Sequence, residues 1–153
     1  MSLTSKELIN GFKKSYYRTK DAKNSEEILE VYYSLFETLN WVVAIDYKLC
    51  AEKNDNKWFS KLGSDGDYIN ALRFARNRTY HQWFTIFKLD RNDTFPAIFP
   101  MLLSTWKWCP LSDIPSERGQ KEDPNDEKLY VKLLANRPVK DALVIIDKIF
   151  SIT

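Results

Sequence analysis

The stretch ILEVYYSLFETLNWVVAIDYKLCAEK, residues 28 to 53, decides the fold. Ile28, Val31, Tyr32, Leu35, Leu39, Val42, Ile45 and Leu49 hold a/d spacing almost throughout, which predicts one long helix. A second row, Leu29, Tyr33, Phe36, Val43, Tyr47 and Cys50, widens the apolar surface beyond a two-helix seam. A helix apolar on that scale is expected in the middle of a bundle, with its Tyr and Trp rings in the core. Asn24 and Glu27 have capping-box spacing and start it.

On the N-terminal side, Thr4 and Glu7 form another capping box, and Leu8, Ile9, Phe12 and Tyr16 make the buried side of a first helix. Its tail is basic, with Lys13, Lys14, Arg18, Lys20 and Lys23. Two readings stay open there: a solvated face with favourable charge at a helix C-terminus, or a phosphate-contacting patch beside Tyr16 and Tyr17.

On the C-terminal side, Asn54 to Gly66 reads as a loop whose Trp58 and Phe59 fold back on the bundle, because exposing both rings is costly. Ser64 and Asp67 have cap spacing for a third helix, expected to run to about Phe87. On it Tyr68, Leu72, Ala75, Thr79, Trp83 and Ile86 make an apolar stripe. Arg73, Asn77 and His81 stack at i, i+4, i+8 on the opposite face, with Arg76 between the two.

Asp90 to Asp93 is a polar break. Thr94 to Pro115 is rich in prolines and aromatics, which forbids a long helix. Weak alternation around Leu102 to Trp108 suggests a short strand. The segment is expected to lay rings over a flank of the bundle. Ser116 to Asp123 is a charged linker, and Asp123-Pro124 opens a helix through Leu129, Leu133 and Leu134. After Arg137-Pro138, a last helix repeats Val139, Ala142, Leu143, Ile146, Ile149 and Phe150 on one side. The expectation is an all-α, single-domain helical bundle over residues 1–153, with about four to five helices and an irregular segment at 94–115.

A chain of 153 residues suits one domain, and a net charge of +2 demands neither nucleic acid nor membrane globally. Uninterrupted apolar runs such as Trp41 to Ile45 are too short for a bilayer, so no membrane partner is expected. Two separated thiols, Cys50 and Cys109, and no signal-peptide pattern suit a cytoplasmic protein. One histidine outside any Cys/His cluster points to no metal, and nothing points to a cofactor.

The functional question is therefore local, in Arg76-Asn77-Arg78-Thr79-Tyr80-His81. Imidazole is the side chain that titrates near neutral pH, and guanidinium is the fork that binds phosphate oxygens. The structural alternative has His81 capping a carbonyl or pairing with Asp46, Glu37 or Asp67, and Arg76 and Arg78 in surface ion pairs.

Arg76-Asn77, three further residues and His81, after the lead-in Leu72-Arg73-Phe74-Ala75, resemble the signature of the HEPN superfamily. That resemblance implies metal-independent RNA cleavage by 2′-hydroxyl attack, in an endoribonuclease of toxin or defence type. His81 would be general acid/base, Arg76 the clamp on transition-state charge and Asn77 the orienter. Helical geometry adds Arg73, Arg78 and Tyr80 as RNA or phosphate contacts. Arg76 and His81 lie about 140° apart on a helix, so a site composed across a homodimer two-fold is expected. The family also holds members that only bind a nucleotide, RNA or protein, and a purely structural bundle is a third reading. An antitoxin partner is a further implication. In some family toxins a tyrosine two after the histidine is modified by the antitoxin; here that position is Trp83.

Overall fold

The computed structural model describes residues 2–22, 28–91, 104–116 and 123–153. Helix α1 (Ser5–Ala22) is followed by α2 (Ile28–Lys53), a 3₁₀ stretch (Trp58–Asp65) and α3 (Asp67–Gln82). Strands β1 (Phe87–Arg91) and β2 (Ser104–Trp108) come next, then α4 (Pro124–Leu133) and α5 (Val139–Ser151). The architecture is an all-α bundle, with one two-stranded sheet among the described residues.

Helix α1 starts as its sequence dictates: Thr4 Oγ1 accepts from the Glu7 amide at 3.3 Å, and the Glu7 carboxylate accepts from the Thr4 amide at 2.8 Å. It lies against α2 over Gly11, where a Cβ would stand 2.6 Å from the Trp41 ring. Asp123 caps α4 by accepting from the Asn125 amide at 2.9 Å, with Pro124 at the first position. All six residues of the α5 stripe are buried. The capping box at Asn24 and Glu27 lies outside the described residues.

Helix α2 is the spine. Val31, Leu35, Leu39, Val42, Ile45 and Leu49 are buried between α1 and α3. Among the described residues it is the one helix whose length and composition would suffice to cross a membrane. It packs as a core helix, and its buried Asp46 is ion-paired to α3. The expectation for its second row needs correction. Leu29, Tyr33 and Tyr47 are exposed, as is Ile28, because the neighbouring helices reach only one side of α2.

The third helix is shorter than its stripe suggested. It ends at Gln82, and Trp83 turns the chain in the left-handed region at φ 54°. Trp83 is therefore not a core residue but 75% exposed, while Ile86 is buried from outside the helix, just before β1. Gly66, not Ser64 or Asp67, occupies the N-cap, without a side-chain bond. The region expected to be a polar break contributes Asp90 and Arg91 to β1.

Residues 87–90 alternate: Phe87 faces Trp108 and Leu89 faces Trp106, while Lys88 and Asp90 pair with Lys107 and Thr105. The Asp90 and Lys107 side chains form an ion pair. Beyond β2, the Trp108 amide donates to Arg137 O and the Asn136 amide to Trp108 O, both at 3.0 Å, covering part of that sheet edge. The aromatic segment thus roofs the bundle with Trp106, Trp108 and Ile114 buried. Phe95 to Pro100 and most of the linker lie outside the described residues.

Candidate functional site

Three arginines of α3 have three different fates. Arg78 is buried, its guanidinium 4.9 Å from the Phe74 ring centroid, and its Nη1 donates to Pro115 O at 2.9 Å. With Gln82 Nε2 donating to Ser116 O at 3.3 Å, it ties the chain after β2 to the flank of α3. That is an anchoring role, not the exposed phosphate contact that helical geometry suggested.

Arg73 is also not part of an open row. Its Nη2 donates to Asp46 Oδ2 at 2.5 Å, and its Nη1 donates to Asn70 Oδ1 at 3.1 Å and lies 3.7 Å from Asp126 Oδ2. Asp46 in turn accepts from Trp58 Nε1 at 2.9 Å. One buried carboxylate thereby joins α2, the 3₁₀ stretch and α3, and Asp126 adds α4. Trp58 folds back as expected, and a hydrogen bond holds it as well as apolar contact.

Burial pushes the Asp126 carboxyl up to about 6, against the opposing pull of the Arg73 guanidinium; Asp123 and Asp46 add to the rise. An acid whose folded pKa lies above its unfolded value of 3.8 favours the fold most when protonated. Its contribution is complete below pH 3.8 and is lost as pH rises through about 6. Asp126→Asn should therefore raise the melting temperature at pH 7.5 and change it little at pH 3, checked by calorimetry at both. Equal shifts at the two pH values would remove Asp126 from this role.

The remaining motif residues gather at the C-terminal corner of α3. Arg76 Nε donates to Asn40 Oδ1 of α2 at 3.0 Å, and its Nη1 reaches Asn77 Oδ1 at 3.4 Å. The guanidinium lies 4.3 Å from the centroid of the Tyr80 ring. Tyr80 stacks on Phe36 of α2 at 6.0 Å and meets the His81 ring edge-on at 5.1 Å. His81 is exposed and makes no hydrogen bond to any described residue. None of the carboxylates Asp46, Glu37 and Asp67 takes it: Asp46 holds Arg73, and Glu37 pairs with Arg18.

Every partner of Arg76 is neutral. No described carboxylate offsets its charge, so the corner presents a fixed cation beside an open imidazole. Such an arrangement can hold an anion and exchange a proton with it. The guanidinium and imidazole do not touch within one chain, and Tyr80 stands between them. Trp83, two residues on, adds an exposed ring on a backbone conformation costly for a bulky side chain.

Two members of this corner, Asn40 and Phe36, escaped the motif because they come from α2. The signal for Asn40 was its polarity inside an otherwise apolar row. As to known proteins, the chain matches no family model, no curated protein and no solved structure. The fold and the corner define a small helical bundle with an uncompensated Arg/His cluster.

Proposed function

We propose that this chain is a HEPN-like, metal-independent endoribonuclease that works as a homodimer. The reading rests on the sequence resemblance at Arg76-Asn77 and His81. One observation supports it most: a guanidinium held only by neutral partners, with an exposed imidazole on the other side of the Tyr80 ring. In this reading His81 moves the proton of the ribose 2′-hydroxyl or of the leaving oxygen. Arg76 meets the charge that builds on the phosphorus-bound oxygens, and Asn77 steadies it. Tyr80 and Trp83 offer aromatic faces for unstacked bases.

The dimer supplies what one chain lacks. Leu29, Tyr33 and Tyr47 are exposed on one side of α2, with Phe36, Asn40 and Ala44 half-buried among them. They make an uncharged strip about 27 Å long. Asn40, the residue that holds Arg76, stands near its middle. A two-fold axis there buries the strip against its copy and brings two Arg76/His81 corners together.

The test is RNA cleavage by the purified protein in excess EDTA, with the ends identified by mass spectrometry. Ends carrying 2′,3′-cyclic phosphate are expected. No cleavage, together with RNA binding that survives His81→Ala, would instead favour a binding module.

A further inference from the structure

A second site lies away from the α3 corner and shares no residue with it. A cavity of about 240 Å³ opens between α1, the start of α2, β2 and α5. Its apolar lining comes from Val31, Val139, Leu143 and the Trp106 ring. Its polar lining comes from the Trp106 indole, the Tyr16, Thr19 and Thr105 hydroxyls and the Lys20 and Lys140 side chains. Trp106 is 6% exposed, and its buried indole N–H has no partner. Tyr16 is equally buried, and its hydroxyl bonds to no described residue. Lys20 and Lys140, both exposed and lining the cavity, pair with no described acid.

Unpaired buried donors are costly, and most such groups in folded proteins find a partner. Here the Trp106 indole N–H is such a donor, in a largely apolar recess that also presents the Tyr16 phenol. Burial, then the Asp147 carboxylate, push the Tyr16 phenol up, so it remains a protonated donor near neutral pH. Among the lining residues the charged ones are both lysines, Lys20 and Lys140. The volume falls below the range of about 300–1,000 Å³ typical of drug-sized ligands, which restricts the occupant to a small molecule.

We propose that this cavity binds a small organic acid, with its apolar body against Val31, Val139, Leu143 and Trp106 and its anionic head between Lys20 and Lys140, accepting from Tyr16 and Trp106. The basic tail of α1 then divides its labour: Lys20 serves the cavity, and Arg18 pairs with Glu37.

Phenylacetate is the probe, titrated into the full chain while the indole N–H resonances are followed by ¹⁵N NMR, with Trp106→Phe assigning the relevant one. A saturable millimolar shift at Trp106 is expected. Lys20→Met/Lys140→Met should weaken it about tenfold, an amount matching two partly exposed charge contacts. Neutral phenylacetamide should bind correspondingly less well, and inorganic phosphate should leave Trp106 unmoved. Val144→Phe, at an exposed lining position, should block entry without unfolding the protein. The proposal is overturned by no saturable shift, by equal affinity for the amide, or by a Trp106 response to phosphate alone. It is also overturned if the two-lysine or Val144 variant binds phenylacetate unchanged.

Discussion

Asp46→Ala is expected to cost the fold about 3 kcal/mol, toward the lower end of what breaking a buried ion pair costs, because Arg73 keeps some access to water. Asp46 is 1% exposed and accepts from Arg73 and Trp58, while the Arg73 side chain is 26% exposed. Removing the carboxylate leaves a half-buried guanidinium with the Asn70 hydrogen bond and the 3.7 Å contact to Asp126, and an indole N–H without its acceptor. The urea midpoint should fall by about 1–3 M at an ordinary slope. Asp46→Ala/Arg73→Met should recover much of the loss, since an apolar replacement of both partners removes the stranded charge. If the single variant unfolds at the wild-type midpoint, the pair does not join the helices energetically.

Cleavage should collapse in His81→Ala and Arg76→Ala while the fold persists. If His81 moves the proton as proposed, its loss is expected to lower kcat/KM about 10²–10⁴-fold. If Arg76 meets the transition-state charge as proposed, its loss should cost about 10²–10³-fold. Neither side chain is in the core, so circular dichroism and melting should change little. The two losses should not add in the double variant, because the groups act on one step.

The proposed dimer makes a sharper forecast. Mixing Arg76→Ala chains with His81→Ala chains should restore activity, since a heterodimer holds one site with both groups intact. No recovery after verified subunit exchange would place both groups in one chain's own site. Asn40→Ala, which loosens Arg76 without touching substrate, should lower kcat and leave KM near its starting value. Trp83→Ala should do the reverse and raise KM, as loss of a stacking face would.

Much of the bundle was legible in the chain because helix periodicity is a local property. The stripe Val139, Ala142, Leu143, Ile146, Ile149 and Phe150 names its own buried face. The caps at Thr4/Glu7 and Asp123 need only near neighbours, so they too could be read directly. Apolar character could not say which of the two α2 rows would be covered. Leu29, Tyr33 and Tyr47 look as buried in sequence as Val31 and Leu35, yet no described helix lies over them. The end of α3 failed for a related reason. Trp83 and Ile86 continue the helical spacing, and pairing of Phe87 and Leu89 with Trp108 and Trp106 takes over the backbone instead.

The sequence alone determined the all-α class, the starts of α1 and α4, the buried side of α5 and the clustering of Arg76, Asn77 and His81 on one helix. Those features depend on residues within a turn or two of each other, so spacing carries them. Tertiary structure decided what each arginine does. Arg73 goes to Asp46 and Asp126, Arg78 to Pro115 O, and Arg76 to Asn40 from another helix, with no described carboxylate in an ion pair with it. A guanidinium's role is set by whichever carboxylate or carbonyl packing brings within its reach, and partners 27 to 53 residues away leave no trace in local spacing.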